Sequence, residues 1–223
     1  AQVIAWTVDT TAPVLTANAQ VSDNFNDGDD VGWTRYAPIA GSAYSFPASS
    51  QGGLGYKMTA PSGNGRVGSI YTSMPAISDG VVSVDLVDWT LGVRQEMGVM
   101  ARVQTPLPTS TAQLINGYSL TYVNRRSSSS ADGTDQLRIY KWTLTSLGLI
   151  NRDTLVVLNG SVGQFSAGAN PPLTGGSAPP NPANSDYRLV FTLLGSSLAG
   201  QIIDIGTGLP MLFNDGFGGM TDT

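Results

Sequence analysis

The chain has 223 residues and a net charge of −5, with 41% hydrophobic and only 12% charged residues, a length that fits one large β domain or two small ones. It carries just two lysines, Lys57 and Lys141, and a weakly acidic, lysine-poor chain is a poor binder of nucleic acid. It has no His and no Cys, which removes the Ser-His-Asp arrangement, the commonest transition-metal ligand, thiolate nucleophiles, disulfides and structural zinc sites.

No stretch of useful length repeats apolar residues with the helical period. With 27 Gly and 13 Pro, the chain instead breaks into short β-rich runs bounded by Gly, Asp, Asn, Ser and Pro. These predict strands at residues 3–7, 14–17, 20–25, 55–59, 66–74, 80–89, 95–103, 117–123, 136–144, 154–158, 187–194, 198–205 and 210–213. That spacing is expected of an all-β sandwich or barrel. Val82, Val84 and Leu86 alternate with Ser83 and Asp85, and Tyr118, Leu120 and Tyr122 alternate with Ser119 and Thr121. A sheet with one wet face is the antiparallel habit.

Two connections stand apart. Residues 125–134 are polar and Ser-rich, and residues 166–186 hold Pro171, Pro172, Pro179, Pro180 and Pro182. A loop of that second length reads as a surface-covering flap or a site of modification. No repeat and no composition shift divides the chain, so the expected organisation is one domain over residues 20–223 with an N-terminal strand extension over residues 1–19. No run of 18 apolar residues is present, so no membrane span is expected. Glu96 is the only glutamate, and the low Lys and Glu with high Ser, Thr and Gly point outside the cell. The opening Ala1-Gln2 suits a mature end left by a signal peptidase.

Asp23-Asn24-Phe25-Asn26-Asp27-Gly28 followed by Trp33 resembles the opening of the laminin-G-like, concanavalin A-like jelly rolls of secreted bacterial proteins. The succession at residues 117–123, 137–142, 186–194 and 198–204 is similar to that family's later strands. The resemblance covers roughly residues 20–215 and implies an antiparallel two-sheet jelly-roll sandwich. The family includes lectins, glycoside-cleaving enzymes, adhesins and spacer modules, so it does not fix a function. The sequence departs from the pattern at both ends: the family's further apolar strand after residue 213 is expected to be missing, and about twenty extra residues with strand character of their own precede Asp23.

The densest oxygen cluster is Asp23, Asp27, Asp29 and Asp30 with Asn24 and Asn26. Such residues bind Ca²⁺ through carboxylate and carbonyl oxygens, with Gly28 permitting the tight turn. The other reading is a turn whose Asp and Asn side chains satisfy their own backbone. Glycoside hydrolysis needs two facing carboxylates; Asp85 and Asp88 are three apart in a strand, and Glu96 is expected to pair with Arg94 or Arg102, so no catalytic residue is assigned. Trp89, Trp142, Tyr118, Tyr122 and Tyr140 are candidates either for stacking on sugars or for packing. Asn159 heads an Asn-Gly-Ser glycosylation pattern.

Residues 2–20 carry Val3, Ile4, Trp6, Val8, Val14 and Leu15 with a single charge, Asp9. An apolar extension on a sandwich short of a strand is suited to complete a neighbouring copy's sheet. The expectation is therefore an extracellular structural subunit, not an enzyme, polymerising with copies of itself into a fibre or surface layer by strand exchange. The alternative is a carbohydrate-binding, lectin-like module acting in adhesion or glycan recognition.

Overall fold

A computed structural model describes residues 20–37, 40–61, 65–73, 78–89, 95–104, 116–124, 136–144, 150–159, 186–206, 208 and 220–222. Every regular element among them is a β-strand. In chain order these are β1 (Trp33–Tyr36), β2 (Ala43–Ser45), β3 (Lys57–Thr59), β4 (Gly68–Tyr71), β5 (Gly80–Leu86), β6 (Gln95–Ala101), β7 (Gly117–Asn124), β8 (Gln136–Leu144), β9 (Ile150–Asn159), β10 (Tyr187–Leu194), β11 (Ser197–Asp204) and β12 (Met220–Asp222). No helix among the described residues is long and apolar enough to cross a membrane.

All strand pairs are antiparallel. Two sheets have four strands each, in the orders β12-β11-β10-β5 and β6-β7-β8-β9, and two small sheets pair β1 with β4 and β2 with β3. The large sheets meet face to face in one core. Leu189, Phe191 and Ile202 come from the first sheet, and Leu120, Tyr122, Leu137 and Ile139 from the second, all fully buried. Strand β5 lies beside β6, and β12 beside β9. The fold is thus all-β and sandwich-like, as the alternation of apolar and polar residues predicts.

The register explains which side chains enter the core. Along β10 the burial alternates strictly, Tyr187, Leu189, Phe191 and Leu193 being buried, as one packed face per strand requires. Between β8 and β9 the pairing steps from Ile139↔Val156 to Tyr140↔Thr154, leaving Leu155 as an extra residue. This bulge turns both Leu155 and Val156 toward the core, which a regular strand does not allow for neighbouring residues.

Several expectations change. Residues 20–25 form no strand, because their polar side chains hold the backbone in turns, as described below. Strands β1 and β2 were not expected from the sequence, and both are short and largely exposed. A strand does follow residue 213: β12 pairs with β11, Leu198↔Asp222, Ala199↔Thr221 and Gly200↔Met220. Among the described residues it matches three of the eight β11 residues. The extension 1–19, with Val3, Ile4, Trp6, Val8, Val14 and Leu15, and the expected strand at 210–213 lie outside the described residues.

Candidate functional site

Residues 23–31 form a run of side-chain-to-backbone turns. Asp23 Oδ1 accepts from the Phe25 amide at 2.9 Å, Asn24 Oδ1 from Asn26, Asp27 Oδ1 from Asp29, and Asp29 Oδ1 from Val31 at 3.0 Å. Asp and Asn favour such turns, since their short side chains mimic a backbone carbonyl. Phe25 sits at a φ of 56°, a left-handed conformation held by this pattern on either side. Asp23 and Asp30 are engaged further. Asp23 Oδ2 accepts from Trp33 Nε1 at 2.8 Å, and Asp30 accepts a fork from Arg35 at 2.6 and 3.0 Å together with the Tyr56 hydroxyl at 2.6 Å. Arg35, and then Tyr56, hold the Asp30 carboxyl below its usual range, while burial and the bond to Asp30 push Tyr56 up to about 12. Beneath the turn, Phe25, Trp33, Phe46 and Tyr56 form a ring cluster, Phe46 and Tyr56 stacked at 5.2 Å. Among the described residues no group of three or more acidic side chains is arranged to hold a metal ion.

The loop between β2 and β3 is latched to one end of the large sheets by Asp186, which is buried. Asp186 Oδ2 accepts from Gln51 Nε2 at 2.6 Å and from the Ser50 hydroxyl, and Oδ1 accepts from the Asp88 amide. Asp88, at a φ of 51°, accepts from the Ser50 amide at 2.9 Å, a bond that lowers its pKa. Asp85 is instead paired with Arg188 directly opposite on β10, through two bonds of 2.6 and 2.8 Å.

The third place is the face of β6-β7-β8-β9 turned away from the core. Register puts Glu96, Ser119, Thr121, Gln136, Arg138, Tyr140, Trp142 and Arg152 on it. Arg152 bonds Glu96 at 2.6 Å, although these strands are the outermost of the sheet. Three strand spacings of about 4.8 Å separate them, so the sheet curls with this face inward. The Arg152 guanidinium also lies 4.5 Å from the Tyr140 ring centre and 5.5 Å from that of Trp142, and Arg66 stands 5.4 Å from Trp142. Arg138 donates to the Tyr140 hydroxyl at 2.6 Å and to Gln136 Oε1. Trp142 Nε1 donates to the Ser119 hydroxyl at 2.8 Å.

The expected aromatic set is therefore divided. Tyr140 and Trp142 belong to this outer face, whereas Tyr122 is fully buried in the core, with Trp89 edge-on to it at 5.6 Å and Tyr118 packed against the same cluster. Glu96 does not pair with Arg102. That residue follows the end of β6 at a φ of 51° and turns to Asp79 and to the carbonyls of Ser78 and Gly195; Arg94 lies outside the described residues. Asn159 is the last residue of β9, opposite Gln136. The arginines of the outer face escape sequence reasoning because pairing of distant strands assembles them. The one signal in the sequence is the shared parity of Arg138, Tyr140 and Trp142.

No family model matches the chain, and no curated protein or solved structure matches it.

Proposed function

We propose that this protein is an extracellular structural subunit with a jelly-roll sandwich, which polymerises by lending residues 2–20 of one copy to the sheet edge of the next. The observation that carries this reading is the edge at β11. Strand β12 pairs with Leu198, Ala199 and Gly200, and Gln201–Ile203 have no strand partner on that side among the described residues. The edge of a sheet is a template for another strand. The segment bearing Val3, Ile4, Trp6, Val8, Val14 and Leu15 has the apolar content and the near absence of charge that strand addition uses. Such a contact is heterologous and does not close on itself, so it propagates into a filament.

Deleting residues 1–19 tests the reading. Electron microscopy is expected to show no filaments from the shortened chain, with polymer recovered when a peptide of those residues is added. Filaments that persist without the segment overturn it.

A second reading, a glycan-binding module, is favoured by the curled outer face, where arginines and aromatic rings gather in a chain otherwise poor in charge.

A further inference from the structure

We infer that the outer face of β6-β7-β8-β9 binds glycans that carry carboxylates, such as uronic-acid residues, with Arg66 and Arg152 as the recognising groups; this rests on the second reading above. The charge count points to an anion. Arg66, Arg138 and Arg152 converge on the rings of Tyr140 and Trp142, and Glu96 is the one carboxylate bonded to any of them among the described residues. Among the described residues two guanidinium charges thus have no carboxylate bonded to them there, in a chain of net charge −5. Arg138 spends its terminal donors on the neutral oxygens of Tyr140 and Gln136 and keeps its Nε buried, so it adds positive charge beneath the face and no free fork.

The geometry selects among anions. A guanidinium presents paired N–H groups that match a planar carboxylate, and stacking on a ring fixes the plane of that fork. Arg152 and Glu96 each keep 36% of their side chains exposed, and Arg66 is exposed, so the forks rather than the ring faces meet the ligand. Tyr140, fully buried, supports the arginines and offers no open face for stacking. Net negative charge of the whole chain disfavours densely charged polyanions at long range. Recognition here is short-range, through forks spaced along one curled face, and suits carboxylates carried singly on successive sugars.

The test is calorimetric titration of the full chain with galacturonic-acid oligomers, with the same oligomers reduced to neutral galactose, and with an oligoglutamate of equal charge. The acidic oligomer is expected to bind at least about tenfold tighter than its neutral counterpart, since hydrogen bonds to charged groups carry that much discrimination. Arg66→Gln, at an exposed position, should weaken acidic binding about tenfold with unchanged circular dichroism, and Arg152→Lys should lose the fork while keeping the charge and weaken it similarly. Equal binding of acidic and neutral oligomers would leave glycan binding standing and overturn the assignment to carboxylates. Binding of neither oligomer overturns both, and oligoglutamate binding as tightly as the acidic sugar overturns the saccharide class.

Discussion

Glu96 and Arg152 join the first and last strands of one four-stranded sheet through a bond of 2.6 Å. The bond records the curl of that sheet more than it strengthens it, because both side chains are about one-third exposed and an exposed pair contributes roughly 0–1 kcal/mol. Glu96→Gln is accordingly expected to lower the stability read from a urea titration by no more than about 1 kcal/mol. The same change frees a guanidinium, so affinity for a galacturonic-acid oligomer should rise several-fold. Unchanged or weaker binding in the titration would count against the role given to Arg152.

Asp186 behaves differently because it is buried and three donors converge on it: Gln51 Nε2, the Ser50 hydroxyl and the Asp88 amide. Asp186→Ala leaves those donors without their acceptor, and should cost about 2 kcal/mol, the scale of such hydrogen bonds. Gln51→Ala removes one exposed partner and should cost no more than about 1 kcal/mol. Denaturant titrations with unchanged m-values check both. Equal losses for the two variants would mean that Asp186 does not anchor the loop.

The Asp30–Arg35–Tyr56 group gives stability across the middle of the pH scale and loses it at both ends. Arg35 and Tyr56 lower the folded pKa of Asp30, so its contribution is present above the unfolded carboxyl pKa near 3.9 and is lost as pH falls through the folded value. Tyr56 is raised to about 12, so its contribution is full below the unfolded phenol pKa near 10 and is lost as pH rises from there through the folded value. Absorbance titration of the tyrosines should therefore contain a late component near pH 12 that Tyr56→Phe removes. Arg35→Ala should lower the thermal midpoint above pH 4, with the gap from the parent chain narrowing as pH drops below 4, because the contribution it removes is lost there in the parent too.

Much of the sandwich is legible in the sequence where burial imposes alternation. Gln136–Leu144 and Tyr187–Leu194 are read with their observed bounds; in the second, one face is packed and the other is more open. Legibility fails where that contrast is absent. The tetrapeptide Trp33–Tyr36 has one buried residue, and Ala43–Ser45 has none. Residues 20–25 contain Val21 and Phe25 in alternation with polar residues, yet Asp23 and Asn24 bond the amides two residues on and break the strand. Early in β9 the residues Asn151, Arg152, Asp153 and Thr154 are polar and exposed, on an edge strand of the sheet. Arg152 was lost with it, and so was the outer face, whose members are separated by up to 86 residues and meet only when the sheet curls.

The strand-donation proposal makes a prediction that its simplest rival does not share. Residues 2–20 either run along the β11 edge of another copy or fold back onto their own. The chain has no Cys, so introduced thiols report without background. A disulfide requires Cα atoms roughly 4.4–6.8 Å apart, close to the spacing of paired strands. Gln201→Cys, placed on the part of β11 that β12 leaves unmatched, is combined in turn with cysteine at each position from 3 to 15. Donation requires that some of these pairs, alternating along the segment, oxidise into a ladder of covalent multimers on a denaturing gel. A segment folded on its own sandwich gives instead a monomer of increased mobility, with no ladder at any pair. That second pattern would end the donor model, whatever filaments the protein forms.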